Sequence, residues 1–393
     1  MIFWQILFWS SCFLVIYNYA GYAVIAAVLN KLGKKNKKRT GSIEFYPSVS
    51  FIVAAYNERD CIDQKVLNSL QQVYPADKLE IIFVTDGSND GTQDIISTYP
   101  GVRVLHNAER KGKSAAMNRA VTFARNEILI FSDSNTILND KAVAFISRHY
   151  ADPRTGGVAG EKKVMQQPAA GTDVGDGEGL YWKYESALKM IDSDFHSVVG
   201  AAGELFSLRR DLFEPLGDEI ILDDFVLSMK TAQKGYRIIY EPDACAMELP
   251  SFSIGEEQKR KVRIAAGGFQ SIRLLYKLLY FWKQPRLSFL YISHRVLRWT
   301  LSPLCLLLAL VANIILVAGT NLVLYRWVLG AQVLFYLMAL LASIITKKTG
   351  LLKILNVPYY FVFMNISVYQ GFFRYLKGSQ SAVWEKAKRA TQS

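Results

Sequence analysis

Four cysteines in 393 residues, Cys12, Cys61, Cys245 and Cys305, are far apart and show no CxxC or Cys/His spacing. Neither a disulfide framework nor a zinc site is suggested, and a reducing compartment fits. No internal repeat of solenoid period and no long low-complexity tract is present, which removes solenoids and disordered linkers. A formal charge of +12 raises the question of nucleic acid. No basic domain stands away from the apolar segments, however, and no recognised binding motif appears, so nucleic acid is not an expected partner. Lys and Arg instead cluster beside apolar stretches, where anionic lipid headgroups attract them. What the chain has in abundance is apolar side chain: 51% hydrophobic residues and a mean hydropathy of +0.13, too much for a purely soluble protein.

Phe3 to Leu29 contains no charged residue and is long enough to cross a hydrocarbon core of about 30 Å as a helix. The run is too long for a signal peptide, and positive charge follows it instead of preceding it. Lys31, Lys34, Lys35, Lys37, Lys38 and Arg39 come next and mark the cytoplasmic side, so the N-terminus is expected outside the inner membrane. Further spans are expected at Thr300–Thr320 and Val323–Thr346, with Asn321 and Leu322 as the outer turn and Lys347 and Lys348 inside. Ile354–Tyr375 has positive charge on both sides and contains Pro358 and Asn365, which leaves a crossing and a re-entrant or interfacial segment both open. Between Glu257 and Leu279, Val262, Ala265, Ala266, Phe269, Ile272, Tyr276 and Leu279 recur at helical spacing while Arg263, Gln270, Arg273 and Lys277 fall elsewhere. That pattern predicts an interfacial amphipathic helix.

From Pro47 to about Leu249 the chain alternates short β-rich runs with helical stretches. Strands are expected at Val49–Ala55, Leu79–Thr85, Val102–His106 and Glu127–Ser132, then at Gly156–Met165, Val198–Leu208 and Tyr236–Glu241. Helices are expected near Glu58–Gln72, Gly91–Tyr99, Lys113–Ala124, Asp140–His149, Glu178–Asp192 and Asp224–Lys234. The class is α/β with a mostly parallel sheet, whose ligands collect at the C-terminal strand ends. Gln167–Gly179, rich in Gly and Asp, reads as a mobile loop. The expected divisions are a first membrane helix at 1–30, a basic cytosolic linker at 31–46, a catalytic domain at 47–255, interfacial helices at 256–299, a membrane region at 300–375 and a basic tail at 376–393.

The strand ends carry the chemistry. The first strand runs into Tyr56-Asn57-Glu58, an aromatic for stacking on a base beside a carboxylate, and the second into Asp86-Gly87-Ser88-Asn89-Asp90-Gly91. Either sequence alone also suits an ordinary strand-to-helix turn. Arg110-Lys111-Gly112-Lys113 opens a helix with Asn118 further along; in isolation it reads as a solvated charge run, but cations at a helix N-terminus are unfavourable unless an anion such as a diphosphate joins them. The fourth strand ends in Asp133-Ser134-Asn135, hard oxygen ligands of the kind that suit Mg²⁺ or Mn²⁺ on phosphates.

In this order the motifs resemble the family-2 glycosyltransferases, the group of cellulose, chitin and hyaluronan synthases, over about Pro47 to Gly268. The resemblance implies a GT-A-like nucleotide-sugar-binding domain inserted between transmembrane helices. It also implies an inverting transfer from a nucleotide diphosphate sugar, a UDP-sugar being the expected donor, to a saccharide or lipid-linked acceptor at the cytosolic membrane face. Asp86 maps onto the family's base-binding aspartate, Asp133-Ser134-Asn135 onto its DxD motif with Asn as the third member, and Leu222-Asp223-Asp224 onto its Thr-Glu-Asp motif, with Asp224 as the catalytic base beside Asp223. Tyr56, Glu58, Asp86, Lys113, Asn118, Ser134, Arg260 and Arg263 are then the donor-binding candidates, Asp133 and Asn135 the metal ligands, and Trp182, Gly203 and Glu204 the acceptor side. The family's (Q/R)xxRW motif appears as Arg260-Lys261-Val262-Arg263-Ile264, with both arginines and without the Trp. Membrane lipids are the remaining expected partner. A catalytically silent subunit that binds nucleotide sugar and regulates a partner synthase is the competing reading, and the joint presence of Asp86, Asp133, Asp223 and Asp224 argues against it.

Overall fold

The computed structural model describes residues 1–32, 45–165, 174–251, 253–345 and 350–378. The basic cluster Lys34–Arg39, Lys347 and Lys348, the first part of the Gln167–Gly179 stretch and nearly all of the 376–393 tail lie outside the described residues.

Eight strands form one sheet in the order β3-β2-β1-β4-β7-β6-β8-β5. They are β1 Val49–Ala55, β2 Leu79–Asp86, β3 Val102–Asn107, β4 Ile128–Asp133, β5 Thr136–Leu138, β6 Thr155–Val164, β7 Leu205–Arg209 and β8 Arg237–Glu248. The first four are mutually parallel, β7 runs antiparallel to both neighbours, β6 and β8 are parallel, and β5 closes the edge antiparallel to β8. All seven residues of β1 are buried, as an unbroken apolar run in a parallel sheet covered on both faces should be. Alternation divides its side chains. Ile52 and Ala54 join Ile82, Val84, Leu129 and Phe131 in one core, while Phe51 and Val53 join Ile81, Phe83, Ile128 and Ile130 in the other. The helices Arg59–Leu70, Thr92–Ser97 and Ala142–Ser147 cover the second core; Lys113–Phe123, Asp223–Gln233 and the segment leading to the membrane helices cover the first.

Among the described residues three helices are long and apolar enough to cross a membrane: Ile2–Leu32, Leu301–Gly319 and Val323–Ile344. Phe8 meets Tyr325 edge-on, with ring centroids 5.6 Å apart, and packs among Ala309, Ala312 and Leu316. The Ile2–Leu32 helix contains a π turn at Tyr17–Gly21, and a second π turn at Ile292–Val296 lies against it. The two are tied at one residue: Ser293 Oγ lies 2.6 Å from the Tyr17 hydroxyl, and its carbonyl accepts from Asn18 Nδ2 at 2.5 Å.

The last apolar stretch forms a helix, Asn356–Leu376, which is not among the three membrane-length apolar helices and packs on Ile254–Leu274. A Cβ added to Gly371 would lie 2.5 Å from the Ala265 Cβ and 2.9 Å from the Val262 carbonyl, so the two backbones nearly touch. Three sequence expectations change. Val198–Leu208 is not one strand: Gly200 at φ +84 breaks it, and β7 starts at Leu205. The second half of the expected mobile loop is helical, since Val174–Phe195 forms one helix. On the Ile254–Leu274 helix, Arg260, Lys261 and Arg263 face a protein cavity where a purely interfacial helix would turn its cations to headgroups.

Candidate active site

A cavity of about 950 Å³ opens at the C-terminal ends of β1 and β4 and continues to Tyr19 on the Ile2–Leu32 helix and to the Asn356–Leu376 helix. Glu58, Lys113, Asp133, Ser134, Asn135, Trp182, Gly203, Glu204, Asp223, Asp224, Arg260 and Arg263 all line it. Residues far apart in sequence meet there because the strand order reverses between β1 and β4, which opens a crevice at their C-terminal ends.

At its centre, Lys113, first residue of its helix, bonds the Asp133 carboxylate at 2.5 Å. Asp224 enters from the first turn of the Asp223–Gln233 helix, where a carboxylate is favoured by the helix dipole, and Asp224 Oδ1 accepts from the Phe225 N–H at 2.8 Å. Gly203 fixes how closely these groups gather: a Cβ there would lie 2.8 Å from Lys113 Nζ, 3.3 Å from Asp224 Oδ2 and 3.8 Å from Asp133 Oδ2. Burial, followed by the adjacent Asp223 carboxylate, pushes the Asp224 carboxyl up to about 7. Burial also raises Asp133, against the opposing pull of Lys113. For Lys113 burial acts to lower the pKa, but Asp133, Asp223 and Asp224 outweigh it and the ammonium is held above its ordinary range. Asp223 is buried on the cavity lining, and its Oδ2 has no hydrogen-bond partner among the described residues.

Tyr56, Asp86 and Asn118 do not line this cavity. The Asp86 carboxylate accepts from the Lys111 N–H at 3.0 Å and the Gly112 N–H at 2.6 Å, holding the turn that presents Lys113. Gly87, at φ +71, lets that turn close in, since a Cβ would lie 2.6 Å from Arg110 Cβ. Arg110 in turn stacks its guanidinium 3.6 Å from the centre of the Tyr56 ring. Tyr56, Asp86 and Arg110 thus form one assembly beside the cavity. Asn118 clamps a loop: its amide donates to the Leu216 carbonyl at 2.7 Å and accepts from the Leu216 N–H at 3.2 Å.

Sequence reasoning missed several groups. Lys162, 2% exposed on β6, pairs with Glu204 at 2.5 Å and with Glu248 on β8. Burial would raise the Glu204 carboxyl, but the Lys162 ammonium outweighs it and holds it well below the usual range. Lys65, fully buried, donates to Ser132 Oγ and to the Thr136 carbonyl, both at 2.8 Å, bracing the turn that carries Asp133 to Asn135. The Trp182 ring has ammonium groups of Lys162, Lys261 and Lys189 at 4.8, 5.6 and 5.7 Å from its centre. A lysine in a strand or on a helix reads locally as a solvated charge, so these groups carried no signal of their own.

Residues 50–217 match the family model described as "Glycosyl transferase family 2". The domain belongs to glycosyltransferase family 2. Poly-beta-1,6-N-acetyl-D-glucosamine synthase of Staphylococcus aureus (strain MSSA476) is 26% identical over 247 residues, 60% of this chain and 58% of that protein. The synthase of the same name from Staphylococcus epidermidis is 25% identical over 229 residues, 56% of this chain and 55% of the other. The match thus spans little more than half the length of these relatives. Among solved structures, a mannosyltransferase from Pyrobaculum calidifontis, in complex with GDP-Man and Mn²⁺, superposes with a TM-score of 0.69 at 22% identity, covering 94% of this chain and 99% of that one. The family-2 domain here therefore has the GT-A fold, and the likeness in fold extends through the apolar helices.

Proposed function

We propose that the chain is an inverting glycosyltransferase that takes a sugar from a nucleotide diphosphate sugar and attaches it to a saccharide or lipid-linked acceptor at the cytosolic face of the membrane. The observation that carries this reading is the meeting of Lys113, Asp133 and Asp224 around Gly203, with the Asp224 carboxyl raised to about 7. A base in that range is suited to remove a proton from an acceptor hydroxyl near neutral pH. Lys113 and Asp133 stand where a departing diphosphate needs positive charge and an ion bridge.

Among the described residues no group of three His, Cys, Asp or Glu side chains forms a metal cage. Asp133 and Asn135 supply hard oxygens, which fits an ion that shares its remaining ligands with substrate phosphates, the usual habit of Mg²⁺ and its close analogue Mn²⁺. When bound, such an ion would neutralise charge developing on the diphosphate. Glu204 stays ionised through Lys162 and adds a fixed negative wall. Asp224 takes the acceptor proton, and the acceptor oxygen attacks the anomeric carbon opposite the diphosphate, so the configuration inverts without a covalent intermediate.

The domain lies between the first and second membrane-length helices, so with the N-terminus outside it faces the cytosol, where nucleotide sugars are found. The matched Staphylococcus proteins are named for an N-acetyl-D-glucosamine polymer, which makes N-acetylglucosamine the first sugar to try. Purified protein with Mn²⁺ or Mg²⁺ is offered a panel of labelled nucleotide sugars and membrane extract, and product is sized. Transfer of one or many residues from one donor supports the reading; donor binding without transfer or hydrolysis on every donor would instead indicate a silent subunit.

A further inference from the structure

The cavity does not stop at the catalytic groups. It continues past Trp182 to Tyr19 on the first membrane helix and to Asn356, Tyr360 and Phe361 on the last helix. At this deeper end three buried donors are left over. Lys189 is 2% exposed and has no hydrogen bond or ion pair among the described residues; its ammonium lies 5.7 Å from the Trp182 ring centre and 5.8 Å from that of Tyr240. Arg298 is 9% exposed, and its Nε has no partner among the described residues, nor has the Nδ2 of Asn356, 6% exposed. All three line the cavity.

None of the nearby carboxylates bonds Lys189 among the described residues. Glu185 already receives His294 at 2.7 Å, Arg295 at 2.9 Å and Arg298 at 3.1 Å. Asp192 faces His294 at 2.5 Å. Glu161 and Glu204 also act on Lys189, but Glu161 accepts from Ser186 at 2.7 Å and from the Tyr240 hydroxyl, and Glu204 pairs with Lys162 at 2.5 Å. Burial accordingly pushes the Lys189 ammonium down from its ordinary range, and an anion beside it would reverse that. Buried unpartnered donors are costly, and three on the lining of one cavity call for acceptors that the described residues do not supply.

Resting on the glycosyltransferase reading, we infer that this end of the cavity binds the anionic, phosphate-bearing head of an amphiphile drawn from the bilayer, through Lys189, Arg298 and Asn356. Arginine and lysine together suit a phosphate, the one as a directional fork and the other as a point charge. Phe361, Met364 and Val368 line the same wall, an apolar surface that suits a hydrocarbon tail and not a free anion. The acceptor would then be held by its head while its sugar or hydroxyl reaches Asp224.

The test uses the full chain in neutral detergent, immobilised, with radiolabelled oleyl phosphate as the probe. Saturable retention is expected, weakened about tenfold or more in Lys189→Met and Arg298→Gln and severalfold in Asn356→Ala, as loss of a charge-assisted hydrogen bond predicts. Oleyl alcohol and inorganic phosphate should each compete at least about tenfold more weakly than unlabelled oleyl phosphate. Equal retention by wild type and Lys189→Met, or equal competition by oleyl alcohol, overturns the anion site. Competition by inorganic phosphate as strong as by oleyl phosphate overturns the bilayer source. Arg298 also supports Glu185, so if Arg298→Gln does not fold, Lys189→Met and Asn356→Ala decide, with nucleotide binding as their check on folding. The two readings fail separately: absence of nucleotide-sugar binding by wild type defeats the glycosyltransferase proposal while the oleyl phosphate isotherm still stands or falls alone.

Discussion

Replacing Asp224 with asparagine should move activity and stability in opposite directions. The carboxyl is raised from 3.8 to about 7, so its ionised form is disfavoured in the fold relative to the unfolded chain. A rise of about three pKa units at ~1.4 kcal/mol each sets a ceiling of about 4 kcal/mol. Asp224 retains some exposure to the cavity, and screening there reduces the expected gain to about 1–2 kcal/mol. The native state holds the proton more tightly than the unfolded one, so the penalty is absent below the unfolded pKa near 4. It grows as pH rises from there to about 7 and is constant above. The neutral amide of the variant escapes it. Thermal unfolding followed by tryptophan fluorescence should show Asp224→Asn more stable than wild type at pH 8, with the difference shrinking to its baseline by about pH 4. Transfer should fall by about 10²–10⁴-fold, the usual contribution of a general base. A variant less stable than wild type at pH 8, or one that keeps a tenth of its turnover, would refute the assignment of Asp224 as a strained, poised base.

Other outcomes follow from the same geometry. In the wild type, the transfer rate should drop about tenfold per pH unit below about 7, because protonated Asp224 cannot accept the hydroxyl proton; a flat profile from pH 5 to 8 speaks against it. Gly203→Ala places a methyl 2.8 Å from Lys113 Nζ and 3.3 Å from Asp224 Oδ2, so turnover should fall about 10–100-fold in a protein whose melting changes little. Lys65→Met should cost about 1–3 kcal/mol and raise the metal concentration needed for half-maximal activity, since the Asp133–Asn135 turn loses its brace. Chelation should abolish transfer, and Mn²⁺ or Mg²⁺ should restore it, read as release of nucleoside diphosphate.

What could be read from the sequence was what is decided locally. The run Val49–Ala55 was legible as a buried parallel strand because all seven residues are apolar or small, and its limits coincide with β1. The turns after β1, β2 and β4 were legible because Asp, Asn and Gly gather there, and Asp133 and Asp224 do meet at one cavity. Asp86 looked equivalent to them but holds the 110–112 turn from beneath, a distinction that depends on which way the Arg110 loop folds back. Lys162, Lys189 and Lys65 were not legible. The partners of Lys162 lie 42 and 86 positions away and those of Lys65 67 and 71, while Lys189 is distinguished by having no hydrogen bond or ion pair among the described residues. The missing tryptophan of the Arg260–Ile264 motif is explained only in three dimensions: Ile264 lines the cavity together with Trp182 and Trp299, which arrive from other segments.

The paired wide turns at Tyr17–Gly21 and Ile292–Val296 give the anchor an unusual tolerance. Removing a residue from an ordinary helix rotates everything beyond it by about 100°. Removing one from the Tyr17–Gly21 turn would instead let the helix relax to regular pitch, keeping Phe8 and Tyr22 on their present sides and losing the latch on Ser293. The catalytic domain and the apolar helices of this protein are thus phased to each other by one surplus residue in each of two facing turns.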